Sequence, residues 1–132
     1  MRELADSTRT AQEAADAVGV DVGQIVKSLV FVDHTGPLLC LCAGDRRVDT
    51  AKLGHGVRQA KGDEVREATG FAIGGVPPLG HDRPVPTVVD ESLRRFGLLW
   101  CAAGTPHAVF SIPTEQLLAA LPDAAVADVT EQ

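Results

Sequence analysis

The stretch from residue 25 to residue 44 constrains this chain more than any other. IVKSLVFVD, residues 25–33, is rich in β-branched and aromatic residues; HTGP follows, then PLLCLCAG. Two such runs around turn residues predict the strands of an antiparallel hairpin. In the first strand Ile25, Leu29 and Phe31 share one face, and Val26, Val30 and Val32 share the other with Ser28. Both faces are apolar, so the strand is expected to be buried on both sides. Lys27 interrupts that pattern. A lysine there must reach water along its own stem, find a carboxylate, or serve a site.

The remaining pattern supplies the cover. Ser7 or Thr8 can cap a helix from about Thr10 to Val18, with Ala11, Ala14, Ala15 and Val18 at helical spacing and Gly19 at its end. GDRRVD reads as a polar connector and TAKLG as one helical turn. Val57–Ala60 suits a short strand, and Asp63 is expected to cap a helix through Thr69 that Gly70 closes. FAIGGVPPLGHDRPVPT holds three glycines and four of the eight prolines, so it predicts a shaped loop without a regular element. Val88 and Val89 belong to a strand, and Asp90 is expected to cap a turn of helix to Phe96. Leu98–Ala103 and Ala108–Ile112 suit strands around GTPH. Pro113 is expected at the first position of a helix through Leu121, and Ala124–Val129 suits a last strand. Connections this short argue against a doubly wound sheet. The expected class is α+β, a mixed, mostly antiparallel, barrel-like sheet flanked by helices.

Composition narrows the function classes. The 132 residues suit one domain, 1–132, large enough for a core without disulfide or metal. The longest apolar runs, Leu38–Ala43 and Leu98–Ala103, are too short to cross a bilayer, so no membrane partner is expected. MRELADSTRT lacks the apolar stretch of a secretory signal. The net charge of −6 argues against a protein that coats DNA or any duplex. Cys40, Cys42 and Cys101 sit in apolar runs and read as small core residues in a reducing cytoplasm. His34, His55, His81 and His107 lie far apart, with no metal-ligand spacing, so no metal is expected.

Few residues offer chemistry. Gly74 to Pro78 read GGVPP. Glycines free backbone N–H groups to face a cavity, and prolines stiffen the exit. Such a loop can present the Gly75 and Val76 N–H groups to a carbonyl oxygen gaining negative charge, or be a plain turn. No Ser stands in a G-x-S-x-G elbow, and no cysteine has an adjacent base. His81 and His107 follow loops, where each can be a general base or a solvated side chain. No phosphate-binding glycine motif is present, so no nucleotide cofactor, and no cofactor at all, is expected. Arg46, Arg47, Lys52, Arg58, Lys61 and Arg66 hold half of the twelve basic residues within 21 positions, interleaved with Asp45, Asp49, Asp63, Glu64 and Glu67. This is either a solvated mixed surface or a local contact for phosphates.

Taken in order, TRTAQEAADAVGV, QIVKSLVF, AGDRRVD, VREATGFAIGGVPPLGH, VDESL and AAGT resemble the YbaK/EbsC-type domain, across roughly residues 7–121. This is the aminoacyl-tRNA deacylase family that also occurs as the editing domain of bacterial prolyl-tRNA synthetases. The combination of the strand lysine with the T-G-[FY]-x-x-G-G-[VI]-x-P-L-G block is the specific part. The resemblance implies a barrel-like mixed sheet with helices and hydrolysis, in trans, of the ester between a wrong amino acid and tRNA. Lys27 falls on the family's key lysine, and Gly74 to Pro78 fall on the G-x-x-x-P loop whose backbone holds the aminoacyl carbonyl. Lys27, Gly74, Gly75 and Val76 are then the catalytic set. Ser28, Pro77, Pro78, Gly104, Thr105 and His81 are the substrate-binding set. In the family a water assisted by the tRNA's ribose hydroxyl attacks the ester, which needs no covalent nucleophile. Two positions depart: Ser28 stands where alanine-clearing members have Asn, and Ala102 and Ala103 stand where the cysteine-clearing branch often has Ser. Both leave the amino acid open.

The implied partners are the acceptor end of aminoacyl-tRNA and a cognate aminoacyl-tRNA synthetase. Two other readings are weighed against the deacylase. One is an inactive module of the same fold that binds aminoacyl-tRNA or a synthetase. The other is a small-molecule esterase or amidase using His81 or His107.

Overall fold

A computed structural model of the chain describes residues 2–3, 11–71, 76–78, 85–104 and 108–131. Strands β2 (Val26–Asp33) and β3 (Gly36–Ala43) form the expected hairpin, paired from Val26 opposite Ala43 to Asp33 opposite Gly36. The turn closes through Asp33, whose Oδ1 accepts from Thr35 N at 2.8 Å, Thr35 Oγ1 at 2.6 Å and Gly36 N at 3.1 Å. An acidic side chain folding back on its own turn is why the reversal falls here.

The hairpin is the centre of a five-stranded sheet in the order β4-β2-β3-β5-β8. β4 (Arg58–Gln59) pairs antiparallel with β2, while β5 (Thr87–Asp90) runs parallel to β3 and β8 (Ala125–Ala127) parallel to β5. A three-stranded antiparallel sheet, β1-β7-β6, is made of β1 (Arg2–Glu3), β6 (Leu98–Ala102) and β7 (Ala108–Pro113). The sheets meet where Ile25 bridges Trp100. The class is therefore the expected one. Helices α1 (Ala11–Val18), α2 (Thr50–Leu53), α3 (Gly62–Thr69) and α4 (Thr114–Ala120) flank the sheets.

Both faces of β2 are covered. Val26 and Val30 join Leu39, Leu41, Leu93, Leu99 and Leu117 in the main core. Phe31 packs on the other face with Cys40 and Val129. The five leucines are each at most 1 % exposed. Burial at that level stabilises by about 1.5–3 kcal/mol per side chain, so the core cannot spare one.

Two local expectations need correction. Asp63 does not cap α3 but is its second residue. Lys61 holds the cap position, because the Glu64 carboxylate accepts from Lys61 N at 2.9 Å and satisfies that free donor. Pro113 is the cap of α4 rather than its first residue; its backbone is extended there (ψ 138°), and Thr114 Oγ1 donates to Phe96 O at 2.5 Å. β1 carries no sequence signal of its own; it exists only by pairing with β7. Asp90 does cap its turn, Glu91–Arg95, a 3-10 helix. Its buried carboxylate accepts from Ser92 N at 3.0 Å and from Val129 N at 2.8 Å. Most of the glycine- and proline-rich stretch lies outside the described residues.

One corner admits only glycine. Gly44 N donates to Ile25 O at 2.7 Å, and a Cβ on Gly44 would press on the Val22 carbonyl and stand 2.8 Å from Ala11 Cβ. Gly44→Ala is expected to destabilise the protein by ~1–3 kcal/mol in urea unfolding, as overpacking does. Gly97→Ala, where the added methyl meets open space, should shift the midpoint little. A second expectation concerns pH. Arg58 grips the exposed Glu64 carboxyl with two 2.8 Å bonds and holds it at about 2. A depressed carboxylate contributes stability above its ordinary value near 4.5, and loses it as pH falls through about 2. The small melting-temperature gap between wild type and Glu64→Gln at pH 7 should therefore close on acidification over that window.

Candidate functional site

Lys27 lies half-buried on β2, directly opposite Cys42 of β3. Its Nζ donates to the carbonyl oxygen of Arg46, just past the end of β3. Of the outcomes open to a lysine in such a strand, none of water, carboxylate or long stem decides its position here; a backbone carbonyl does. Beside it opens a cavity of about 610 Å³ between the two sheets, α1 and α3. That volume is within the usual range for small-ligand pockets.

The cavity brings together Lys27, Ser28 and Val76, three of the residues singled out by sequence. Val76 is 3 % exposed and packs into the main core, so its backbone is held firmly. Pro77 and Pro78 are buried behind it, and Gly104 adopts φ +101° with the Phe71 ring 3.4 Å from where a Cβ would stand. None of these three is among the described lining residues. Gly74, Gly75, His81, Thr105 and His107 lie outside the described residues.

Sequence reasoning missed two lining residues, Trp100 and Gln12. Only the β2–β6 contact carries Trp100 to the cavity; its signal was being the one tryptophan in the chain. Ser28 Oγ and Trp100 Nε1 are both buried and make no hydrogen bond among the described residues. Buried polar atoms are seldom left so, and two in one wall mark places where a ligand atom would be welcome. The rest of the lining is mostly aliphatic, with Val26, Val30, Val65 and Val109 among it.

Among the described residues the site holds no ready nucleophile. Burial pushes the Cys40 and Cys101 thiols up to about 12 and the Cys42 thiol to about 11. His34 and His55 are exposed on turns. Among the described residues no group of three or more His, Cys, Asp or Glu could hold a metal. The basic stretch is partly engaged inside the molecule. Lys52 donates to Thr130 O at 2.7 Å and pairs with Asp128 at 3.3 Å, and Arg58 is bound to Glu64. Asp45 pairs with Arg95, which holds its carboxyl below the usual carboxylate range.

The sequence profile of the family described as Aminoacyl-tRNA editing domain matches residues 5–120. The chain belongs to that family. It is 32 % identical over 120 residues to the uncharacterized protein YwhH of Bacillus subtilis, covering 87 % of this chain and 76 % of that protein. It is 26 % identical over 121 residues to EbsC of Enterococcus faecalis, covering 81 % and 74 %; EbsC is named, provisionally, a Cys-tRNA(Pro)/Cys-tRNA(Cys) deacylase. A crystal structure described provisionally as a trans-editing enzyme for prolyl tRNA synthetase superposes with a TM-score of 0.91 at 53 % identity, over 99 % of this chain and 85 % of that one. The proline–tRNA ligase of Lactobacillus gasseri is 36 % identical over 90 residues, which are 64 % of this chain and 16 % of the ligase. Among the described residues no helix is long and apolar enough to cross a membrane.

The thiols give a direct check on the site chemistry. All three cysteines of the native protein should resist a disulfide-exchange reagent at pH 8, and all three should react after denaturation. Rapid labelling of any one in the native protein would contradict the geometry.

Proposed function

We propose that this protein is a free-standing trans-editing hydrolase that deacylates mischarged aminoacyl-tRNA in the cytoplasm. One observation carries the reading: Lys27 and Ser28 of β2 and Val76 of the GGVPP segment line the same apolar cavity, in a chain of the editing-domain family. In this reading the aminoacyl group enters the cavity and the terminal ribose stays at its mouth. Gly74, Gly75 and Val76 hold the ester carbonyl through backbone N–H groups. Lys27 holds the substrate end. Ser28, Pro77, Pro78, Gly104, Thr105 and His81 shape the surroundings.

The chemistry asks for little else. A water adds to the ester carbonyl, assisted by the neighbouring ribose hydroxyl of the tRNA. The carbonyl oxygen becomes an oxyanion, and the loop donors stabilise it. Collapse expels the ribose oxygen, which takes up a proton, leaving free amino acid and uncharged tRNA. A preorganised oxyanion donor is worth about 10²–10³ in rate, enough to make a nucleophilic side chain unnecessary. That agrees with the three buried, strongly raised thiols.

Selectivity would rest on the aliphatic wall. Such a wall excludes larger side chains well but separates neighbours differing by one methylene by only ~1–3 kcal/mol. The same limit on a synthetase is what makes editing useful. The affinity for tRNA should be modest and salt-sensitive, since the chain is acidic overall and the basic stretch between Arg46 and Arg66 is partly engaged.

The test is a panel of mischarged tRNAs, assayed for release of amino acid by wild type and Lys27→Ala. The expected result is clearance of at least one small aminoacyl-tRNA, lowered ~10²-fold or more in Lys27→Ala, with an unchanged circular-dichroism spectrum. Tight binding of aminoacyl-tRNA without turnover would replace the hydrolase with the binding-module reading. Ester cleavage that survives Lys27→Ala but not His81→Ala would point to the small-molecule esterase.

A further inference from the structure

We infer that Asp45 and Arg95 are positioning residues for Lys27, acting through the Arg46 carbonyl. The inference deepens the proposed function and rests on Lys27 contacting the substrate.

The argument starts from what holds that carbonyl. Residues 44–49 leave the end of β3 as a half-buried connector. Arg46 N donates to Ala43 O at 3.0 Å, which starts the turn. Beyond it, Glu131 N donates to Arg47 O at 2.8 Å, Asp49 N to Val129 O at 2.9 Å, and Val48 bridges Thr130. The far side of Arg46 is thus fastened to the C-terminal segment. On the near side Gly44 N donates to Ile25 O at 2.7 Å, and the one side-chain fastening among the described residues is Arg95, whose guanidinium takes both oxygens of Asp45, at 2.6 and 3.0 Å. Between these two anchors stands the Arg46 carbonyl, and Lys27 Nζ donates to it.

Arg95 is itself rigidly placed. Its Nε donates to Ser92 O at 2.8 Å, and its guanidinium lies 5.0 Å from the centre of the Phe96 ring. Phe96 is pinned in turn, because its carbonyl accepts from Thr114 Oγ1 and the next carbonyl, of Gly97, accepts from Thr114 N at 3.0 Å. Room for the pair comes from Gly23, where a Cβ would stand 2.8 Å from the Phe96 ring and 3.2 Å from Asp45 Oδ2. The side chains of Arg95 and Asp45 are 36 % and 33 % exposed. An exposed pair of this kind contributes little to global stability. Its planar two-bond geometry instead fixes direction, which is what a fork-shaped donor does best. What it directs is the carbonyl that orients the lysine.

The experiment compares wild type, Arg95→Ala, Arg95→Lys and Asp45→Asn. The chain has three lysines, Lys27, Lys52 and Lys61, so reductive methylation followed by mass spectrometry reads each one separately. The expected result is a Lys27 methylation rate raised about fivefold or more in Arg95→Ala and in Asp45→Asn, with Lys61 unchanged. With a mischarged tRNA that the wild type clears, kcat/KM should fall about tenfold in both variants and recover in part in Arg95→Lys. The salt dependence of KM should stay as in wild type. An unchanged Lys27 rate overturns the inference, as does a raised rate with full activity. A shallower salt dependence in Arg95→Ala also overturns it, because it marks a lost phosphate contact by Arg95 itself. Asp45→Asn keeps one acceptor oxygen and guards against a misfolded Arg95→Ala. A wild type that clears no tRNA defeats the deacylase reading, whereas the methylation rates still decide whether the pair governs Lys27.

Discussion

The β2–β3 ladder is the constraint on which the rest of the molecule depends. Eight residues of each strand pair in register, and both faces of β2 are apolar. A ladder of that kind cannot sit at a surface. One side must be covered by the main core, with leucines from β3, β6, α4 and the turn after β5, and the other by Phe31, Cys40 and Val129. The parallel additions of β5 and β8 widen the sheet, and the three-stranded sheet closes against it at Ile25 and Trp100. A one-residue slip of the hairpin would turn Lys27 into the main core and Ser28 away from the cavity, so the register is fixed by burial and by the Asp33 turn together.

The site follows from the same ladder. A polar residue on a strand covered on both sides has few places to go. Ser28 ends in the wall of a cavity with its hydroxyl unpartnered among the described residues, and Lys27 ends on the Arg46 carbonyl. Among the described residues the cavity lining carries an unpartnered hydroxyl and indole N–H and the side-chain amides of Gln12 and Gln59, set in mostly aliphatic walls beside Lys27. Such groups orient and hold; none is a strong nucleophile, and the nearby thiols are too deeply buried to ionise at neutral pH. A cavity of this composition suits chemistry in which the attacking group arrives with the substrate or from solvent.

Charge acts on a smaller scale than the net value suggests. The protein is acidic overall, with half of its twelve basic residues gathered between Arg46 and Arg66. The structure engages part of that stretch at its own surface: Lys52 braces the C-terminal segment and Arg58 braces the first turn of α3. Arg95, outside the stretch, braces the connector beside Lys27. Several of these cations therefore work first as fasteners of short connectors, which have little core of their own to hold them.

Local signals settled a good deal. Two apolar runs around turn residues, the first rich in β-branched side chains, marked β2 and β3, glycine marked the ends of α1 and α3, and Asp90 marked the turn after β5, because each of these is decided within a few residues by sterics or by one hydrogen bond. The caps of α3 and α4 were misplaced by two residues and one, since the backbone donors there are met by the Glu64 carboxylate and by the distant Gly97 carbonyl rather than by the nearest capping side chain. The motif order was enough to bring out the family, and the oddness of Lys27 was visible from its neighbours alone. What the sequence by itself could not decide is which distant segments meet. The pairing of β3 with β5, the arrival of Trp100 beside Ile25 and the Arg95–Asp45 clamp join residues separated by tens of positions. Those contacts form only when the whole chain buries its apolar faces at once, and so the lysine was legible while the carbonyl that holds it was not.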